Sequence, residues 1–123
     1  MAEQATVYRK SILVAEDDPG ARESLYLLLK IDRHAVVTAA NGKEALGLFA
    51  QRPFDLVIVD YAMPEMQGHD LARNIRQINP AQPILMVTAY FEKLVDSDIP
   101  VDAVLSKPFG VDELRRAIAR LLG

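Results

Sequence analysis

Residues 54–64 read Phe54-Asp55-Leu56-Val57-Ile58-Val59-Asp60-Tyr61-Ala62-Met63-Pro64, and the fold turns on them. Leu56 to Val59 is an uninterrupted aliphatic run closed by an acid and a Met-Pro turn. A short β-branched run of this kind reads as a strand buried on both faces, as in a parallel sheet. Its interior has no place for a charge, so Asp60 is expected at the carboxyl end. That edge is where open α/β sheets hold their ligands.

Upstream, Arg52-Pro53 stops a helix with the apolar stripe Ala45, Leu48 and Phe49, opened by Asn41 and Glu44 at capping-box spacing. Ala35-Val36-Val37-Thr38 is the strand before it. Asp18-Pro19 pairs an N-cap with a proline at the first helical position, starting a helix that runs to about Lys30 with Ala21, Leu25, Leu28 and Leu29 on one face. Ser11 to Ala15 is the first strand and runs out into Glu16-Asp17-Asp18. Downstream, Leu71, Ile75 and Ile78 mark a third helix, ended by Asn79-Pro80. Pro83 to Val87 is the fourth strand, finishing on Thr88. The segment from Tyr90 to Pro100 is a poor helix former, crowded by Asp96, Ser97, Asp98 and Pro100. Asp102 to Ser106 is the fifth strand, ending on Lys107-Pro108. A last helix, about Val111 to Leu122, buries Val111, Leu114, Ile118 and Leu121, with acids leading and arginines trailing as the helix dipole favours. Five alternations of strand and helix predict an α/β protein: a doubly wound sandwich around a five-stranded parallel sheet, with five helices of which the fourth is shortened or absent.

The chain has 123 residues, enough for one domain, with a loose arm expected at residues 1–9 and the folded domain at 10–123. A net charge of −3 speaks against a nucleic-acid footprint or an anionic membrane surface. Cysteine is absent, which excludes a disulfide frame and a thiolate metal site and fits a reducing compartment. No apolar run is long enough to span a bilayer, and the polar start does not resemble a signal peptide, so a cytoplasmic protein is expected.

Glu16-Asp17, Asp60, Thr88 and Lys107 all fall at strand carboxyl ends, on one edge of the sheet. In strand order 2-1-3-4-5 the crevice between the first and third strands is bordered by Glu16, Asp17 and Asp60. Two carboxylates about 4 Å apart repel by roughly 4 kcal/mol at an effective dielectric near 20. Lys107 alone cannot balance three acids, and Mg2+ suits the deficit, since it takes one or two carboxylates, waters and a phosphate oxygen. Singly, each residue has a plainer reading as a cap or turn residue. Jointly, they occupy the strand ends that one site would require.

The chain resembles the receiver domains of bacterial two-component response regulators from Ser11 to Leu122. The matching pieces are Ile12 to Asp18, Asp55 to Pro64, Gly68, Val87-Thr88-Ala89 and Ser106-Lys107-Pro108-Phe109. The resemblance implies a flavodoxin-like fold with Asp60 as phosphoacceptor from a histidine kinase or histidine phosphotransfer protein. It implies Mg2+ held directly by Asp17 and Asp60, through water by Glu16, and by the Ala62 carbonyl. Thr88 would bond the phosphoryl group, and Lys107 would pair with a phosphoryl oxygen or with Asp60 before transfer. Lys107-Pro108 resembles the family's frequently cis bond. An effector domain, a target protein or a homodimer are the further partners it suggests. On this reading the protein is a switch rather than an enzyme, and Asp60, ionised at pH 7, needs no separate base. His34 and His69 are expected to take no catalytic part.

Two features depart from the family. Members usually carry an aromatic three residues before the lysine, where this chain has Val104, and the stretch from Thr88 to Lys107 is shorter than is typical. A phosphorylation-independent scaffold on the same fold is the alternative reading. A flavin module would meet phosphate-repelling acids at Asp17-Asp18. An acyl-phosphate hydrolase would lack its second acid, because Ala62 stands there.

Overall fold

The computed structural model describes residues 6–94 and 98–123. The elements follow in the order β1 (Ser11–Ala15), α1 (Pro19–Ile31), β2 (Ala35–Ala39), α2 (Gly42–Gln51), β3 (Leu56–Asp60), α3 (Gly68–Ile78), β4 (Ile84–Thr88), α4 (Phe91–Leu94), β5 (Ala103–Ser106) and α5 (Val111–Leu122). The strands form one parallel sheet in the order β2-β1-β3-β4-β5, as expected. Residues 1–5 of the expected arm, and Asp96 and Ser97 of the weak helical segment, lie outside the described residues.

Alternation along β3 builds two cores. Val57 and Val59 face a cluster with Phe49 of α2, Leu71 and Ile75 of α3, and Leu94 of α4. Leu56 and Ile58 face the other cluster, with Leu25 and Leu29 of α1 and Leu114 and Ile118 of α5. All five residues of β3 are buried, which accounts for the unbroken aliphatic run.

Local signals behave as their chemistry requires. Asp18 Oδ2 accepts the Ala21 N–H at 2.8 Å and Pro19 opens α1. Asn41 Oδ1 accepts the Glu44 N–H at 2.8 Å, while the Glu44 carboxylate reaches the Ala40 N–H rather than that of the cap itself. The fourth helix is described over a single turn, Phe91–Leu94, and the chain is no longer helical at Asp98.

Three apolar positions differ from expectation. Ile78 is exposed at the last turn of α3, and Val111 and Leu121 are only half-buried at the two ends of α5. In the middle of α5, Arg115 grips the buried Asp32 at the end of α1 with two bonds of 2.9 Å, tying the two helices of that face together.

Candidate functional site

The carboxyl ends of β1 and β3 are neighbours, so the acids that follow them converge. Carboxylate oxygens of Glu16, Asp17 and Asp60 lie within 4.8 Å of one another. Lys107, leaving β5, reaches across to Glu16 Oε1 at 2.7 Å and to Asp60 Oδ1 at 3.5 Å. The ammonium is thus seated chiefly on Glu16, and Asp60 takes the longer contact. The Lys107-Pro108 bond is cis.

Glu16 is almost wholly buried, with Oε1 on Lys107 and Oε2 accepting the Asp18 N–H at 3.2 Å. Arg22, on the first turn of α1, adds a support that the motif does not advertise. Its Nη1 donates to the carbonyl oxygens of Glu16 at 2.9 Å and Asp17 at 3.3 Å, holding the loop that carries both acids. Its placement four residues after the Asp18 cap, one turn above the acids, was the available signal.

Burial and the neighbouring Glu16 carboxylate push the Asp60 carboxyl up from 3.8 to about 7, against the pull of Lys107. Even with the Lys107 ammonium 3.5 Å away, Asp60 therefore holds its proton to higher pH than an ordinary carboxyl. Burial by itself would lower Lys107, but Glu16 and Asp60 outweigh it and hold the ammonium above its ordinary value.

A stability effect follows with a definite sign. The folded carboxyl, at about 7, keeps its proton to higher pH than the unfolded one near 3.8, so this contribution is complete below about pH 4 and is lost as pH rises through 7. Metal-free protein is expected to lose urea resistance between pH 5 and pH 8, and saturating Mg2+ to flatten that decline. A metal-free stability that rose steadily across the interval would contradict the shift.

Thr88 ends β4, fully buried, one residue past Val87, the register partner of Asp60. Its hydroxyl oxygen accepts the Tyr90 N–H at 2.8 Å, and its carbonyl accepts the Lys107 N–H at 2.8 Å. Ala62 is half-buried, two residues beyond Asp60, in the loop to α3. That loop is pinned where the Gly68 N–H donates to the Tyr61 carbonyl at 2.8 Å. A Cβ on Gly68 would overlap the Asp60 carbonyl oxygen, so only glycine allows so close an approach. Gly68→Ala is expected to displace the Asp60–Ala62 backbone, costing about 1–3 kcal/mol in urea unfolding and weakening Mg2+ binding in calorimetry.

Aromatic contacts flank the site without having been visible in the motif. Tyr61 stacks on His69 at a centroid distance of 5.5 Å and meets Tyr90 edge-on at 6.5 Å. His69 is thus a packing partner of the residue after Asp60. His34 is buried just before β2, where its Nδ1 accepts the Lys10 N–H at 3.0 Å, and burial lowers its pKa.

The donor set fits a hard dication. Three carboxylates and one lysine leave a deficit of two positive charges, and all the available ligands are oxygens. Both Glu16 oxygens are already bonded, which leaves the Asp17 and Asp60 carboxylates as the groups that could face such an ion directly.

Residues 12–119 match the family model described as the response regulator receiver domain. The response regulator receiver protein CpdR of Brucella abortus is 39% identical over 116 residues, a match covering 92% of this chain and 97% of CpdR. The response regulator MprA of Mycolicibacterium vanbaalenii is 37% identical over 114 residues, 90% of this chain but only 49% of MprA. Among solved structures, response regulator TrrA of Thermotoga maritima in complex with Mg(2+)-BeF superposes with a TM-score of 0.86 at 37% identity, over 92% of this chain and 99% of that one. A complex of histidine kinase ThkA with TrrA contains a chain matching with a TM-score of 0.83 at 37% identity, over 93% of this chain and 99% of that one.

Proposed function

This chain belongs to the response regulator receiver domain family, and from that premise we propose that Asp60 accepts a phosphoryl group from a phosphohistidine and that the domain signals by the resulting change of shape. The observation that carries the reading is the convergence of Glu16, Asp17, Asp60 and Lys107 from three separate strand ends. An Asp60 carboxylate oxygen attacks phosphorus, the P–N bond to the donor imidazole breaks, and the leaving nitrogen keeps the electron pair. Phosphoryl transfer asks the protein for position and charge neutralisation rather than for a general base.

Asp17, Asp60 and the Ala62 carbonyl would hold Mg2+ directly and Glu16 through a water, and the ion would supply charge neutralisation at the phosphoryl oxygens. Lys107, poised between Glu16 and Asp60, is within reach of a phosphoryl oxygen once Asp60 is modified. The domain is then a phosphoacceptor switch acting in the cytoplasm, which catalyses only its own phosphorylation and dephosphorylation. A sensor histidine kinase or phosphotransfer protein is the proposed donor, a reading supported by the likeness to a chain in the complex of histidine kinase ThkA with TrrA.

Intact-mass spectrometry after incubation with a small acyl phosphate and Mg2+ tests this. One added phosphoryl group, released by hydroxylamine and absent when Mg2+ is chelated, is expected. No uptake, or uptake at another residue, would overturn the reading.

A further inference from the structure

We propose that Arg22 is a positioning residue that sets the cluster's choice of cation: by gripping the backbone on both sides of Asp17 it favours Mg2+ over Ca2+. This rests on the metal site of the phosphoacceptor reading and names a determinant of its specificity.

The first support is how unequally the three acids are held. Glu16 is fixed from several sides: its N–H donates to the Ala39 carbonyl at 3.1 Å, one carboxylate oxygen takes Lys107 and the other takes the Asp18 N–H. Asp60 ends β3 in register with Val87 of β4, with Lys107 at 3.5 Å. Asp17 has no such hold on its side chain. Among the described residues, the hydrogen bond that reaches it is made to its carbonyl oxygen, from Arg22 Nη1 at 3.3 Å. The same nitrogen donates to the Glu16 carbonyl at 2.9 Å. Those two carbonyls belong to the peptide groups before and after the Asp17 Cα. Holding both planes fixes the direction in which the Asp17 side chain leaves the backbone. The carboxylate that could face an ion directly is thus aimed from α1, by Arg22.

The second support is the difference between two hard dications. Mg2+ demands near-octahedral oxygens at about 2.0–2.1 Å, whereas Ca2+ accepts about 6–8 oxygens at about 2.3–2.6 Å in looser arrangements, backbone carbonyls among them. A preset Asp17 serves the stricter ion. A released loop serves the more tolerant one, and it adds two unbonded carbonyl oxygens to the cluster's surroundings. Groups that orient a metal's ligands are typically worth about 10–100-fold in affinity.

The sign of the effect separates this role from plainer ones. A guanidinium beside an acidic cluster repels an incoming cation, so removing a purely electrostatic Arg22 would tighten both ions. Removing a mere brace for the start of α1 would lower stability and leave the folded protein's preference as it was. Removing the residue that aims Asp17 weakens Mg2+ and spares Ca2+.

Amide NMR titrations of the full chain with MgCl2 and with CaCl2, at one ionic strength, test this. Native protein is expected to bind Mg2+ the more tightly. Arg22→Met keeps a good helix former without the donor. It is expected to bind Mg2+ about tenfold more weakly, while Ca2+ affinity moves far less. Arg22→Lys keeps the charge without the planar fork and is expected to lie between. Tighter binding of both ions in Arg22→Met, an equal loss for both, or an unchanged ratio overturns the inference and leaves the phosphoacceptor reading standing. Should that variant not fold, an unchanged ratio in Arg22→Lys does the same. If native protein binds no Mg2+, the metal site falls and this role with it. Mg2+ binding with the expected ratios but no phosphoryl uptake sinks the phosphoacceptor reading alone.

Discussion

Asp60→Asn takes up no phosphoryl group from an acyl phosphate under conditions that label the native protein fully, yet in the absence of metal it is the more stable protein at pH 8. The two outcomes share a cause. Asp60 is held at about 7 by burial and by Glu16, so above that pH the native fold confines an ionised carboxylate that water would solvate better. A neutral amide of the same shape escapes the cost. At about 1.4 kcal/mol per pKa unit, the shift from 3.8 to about 7 sets a ceiling near 4 kcal/mol. Water in the open cleft screens part of this, leaving an expected gain of about 2 kcal/mol at pH 8 that shrinks toward pH 4. Urea unfolding at both pH values checks it. Saturating Mg2+ should reverse the order, because it rewards the carboxylate and not the amide. An Asn variant less stable than the native protein at pH 8 without metal would refute this account of the cluster.

Lys107→Ala carries the second large effect, and its sign is opposite. Glu16 is 1% exposed and spends one oxygen on Lys107 at 2.7 Å. Removing the ammonium leaves that carboxylate buried, with two further acids beside it. Breaking a buried pair from one side typically costs about 3–5 kcal/mol, which would show as an earlier urea midpoint at unchanged slope. Mg2+ should restore part of the loss, since it supplies positive charge to the same acids. Phosphoryl uptake should fall even where the fold survives, because a charge facing the phosphoryl oxygens is gone. A midpoint unaffected by the substitution would show Glu16 to be neutralised by something other than Lys107.

What could be read from the chain was whatever depends on neighbours in sequence. The run from Leu56 to Asp60 announces a strand buried on both faces, and Asp18-Pro19 announces a helix start, because caps and buried strands are local chemistry. The convergence of Glu16, Asp17, Asp60 and Lys107 was legible for a related reason: in a parallel sheet every strand ends on the same edge. Matters decided by distance through space were less accessible. Ile78 completes a helical stripe, but nothing in the stripe says that its last position stands in solvent. That Lys107 favours Glu16 over Asp60 depends on side-chain reach across two intervening strands. The upward shift of Asp60 depends on burial, and Tyr61, His69 and Tyr90 meet through loops whose paths no periodicity encodes. Arg22 lay between these cases, with its helical position readable and its grip on two carbonyls not.

The pairing of Glu16 with Lys107 joins residues 91 positions apart, one just beyond the first strand and the other just beyond the last. A chain growing from its amino terminus has made every acid of the cluster by residue 60, while the balancing lysine is still unsynthesised. Until the fifth strand docks, pairing of β1 with β3 gathers those acids with no lysine to balance them. The charge cluster is therefore among the last parts of the molecule to mature during synthesis, and a truncated product ending before Lys107 carries the nucleophile without its counter-charge.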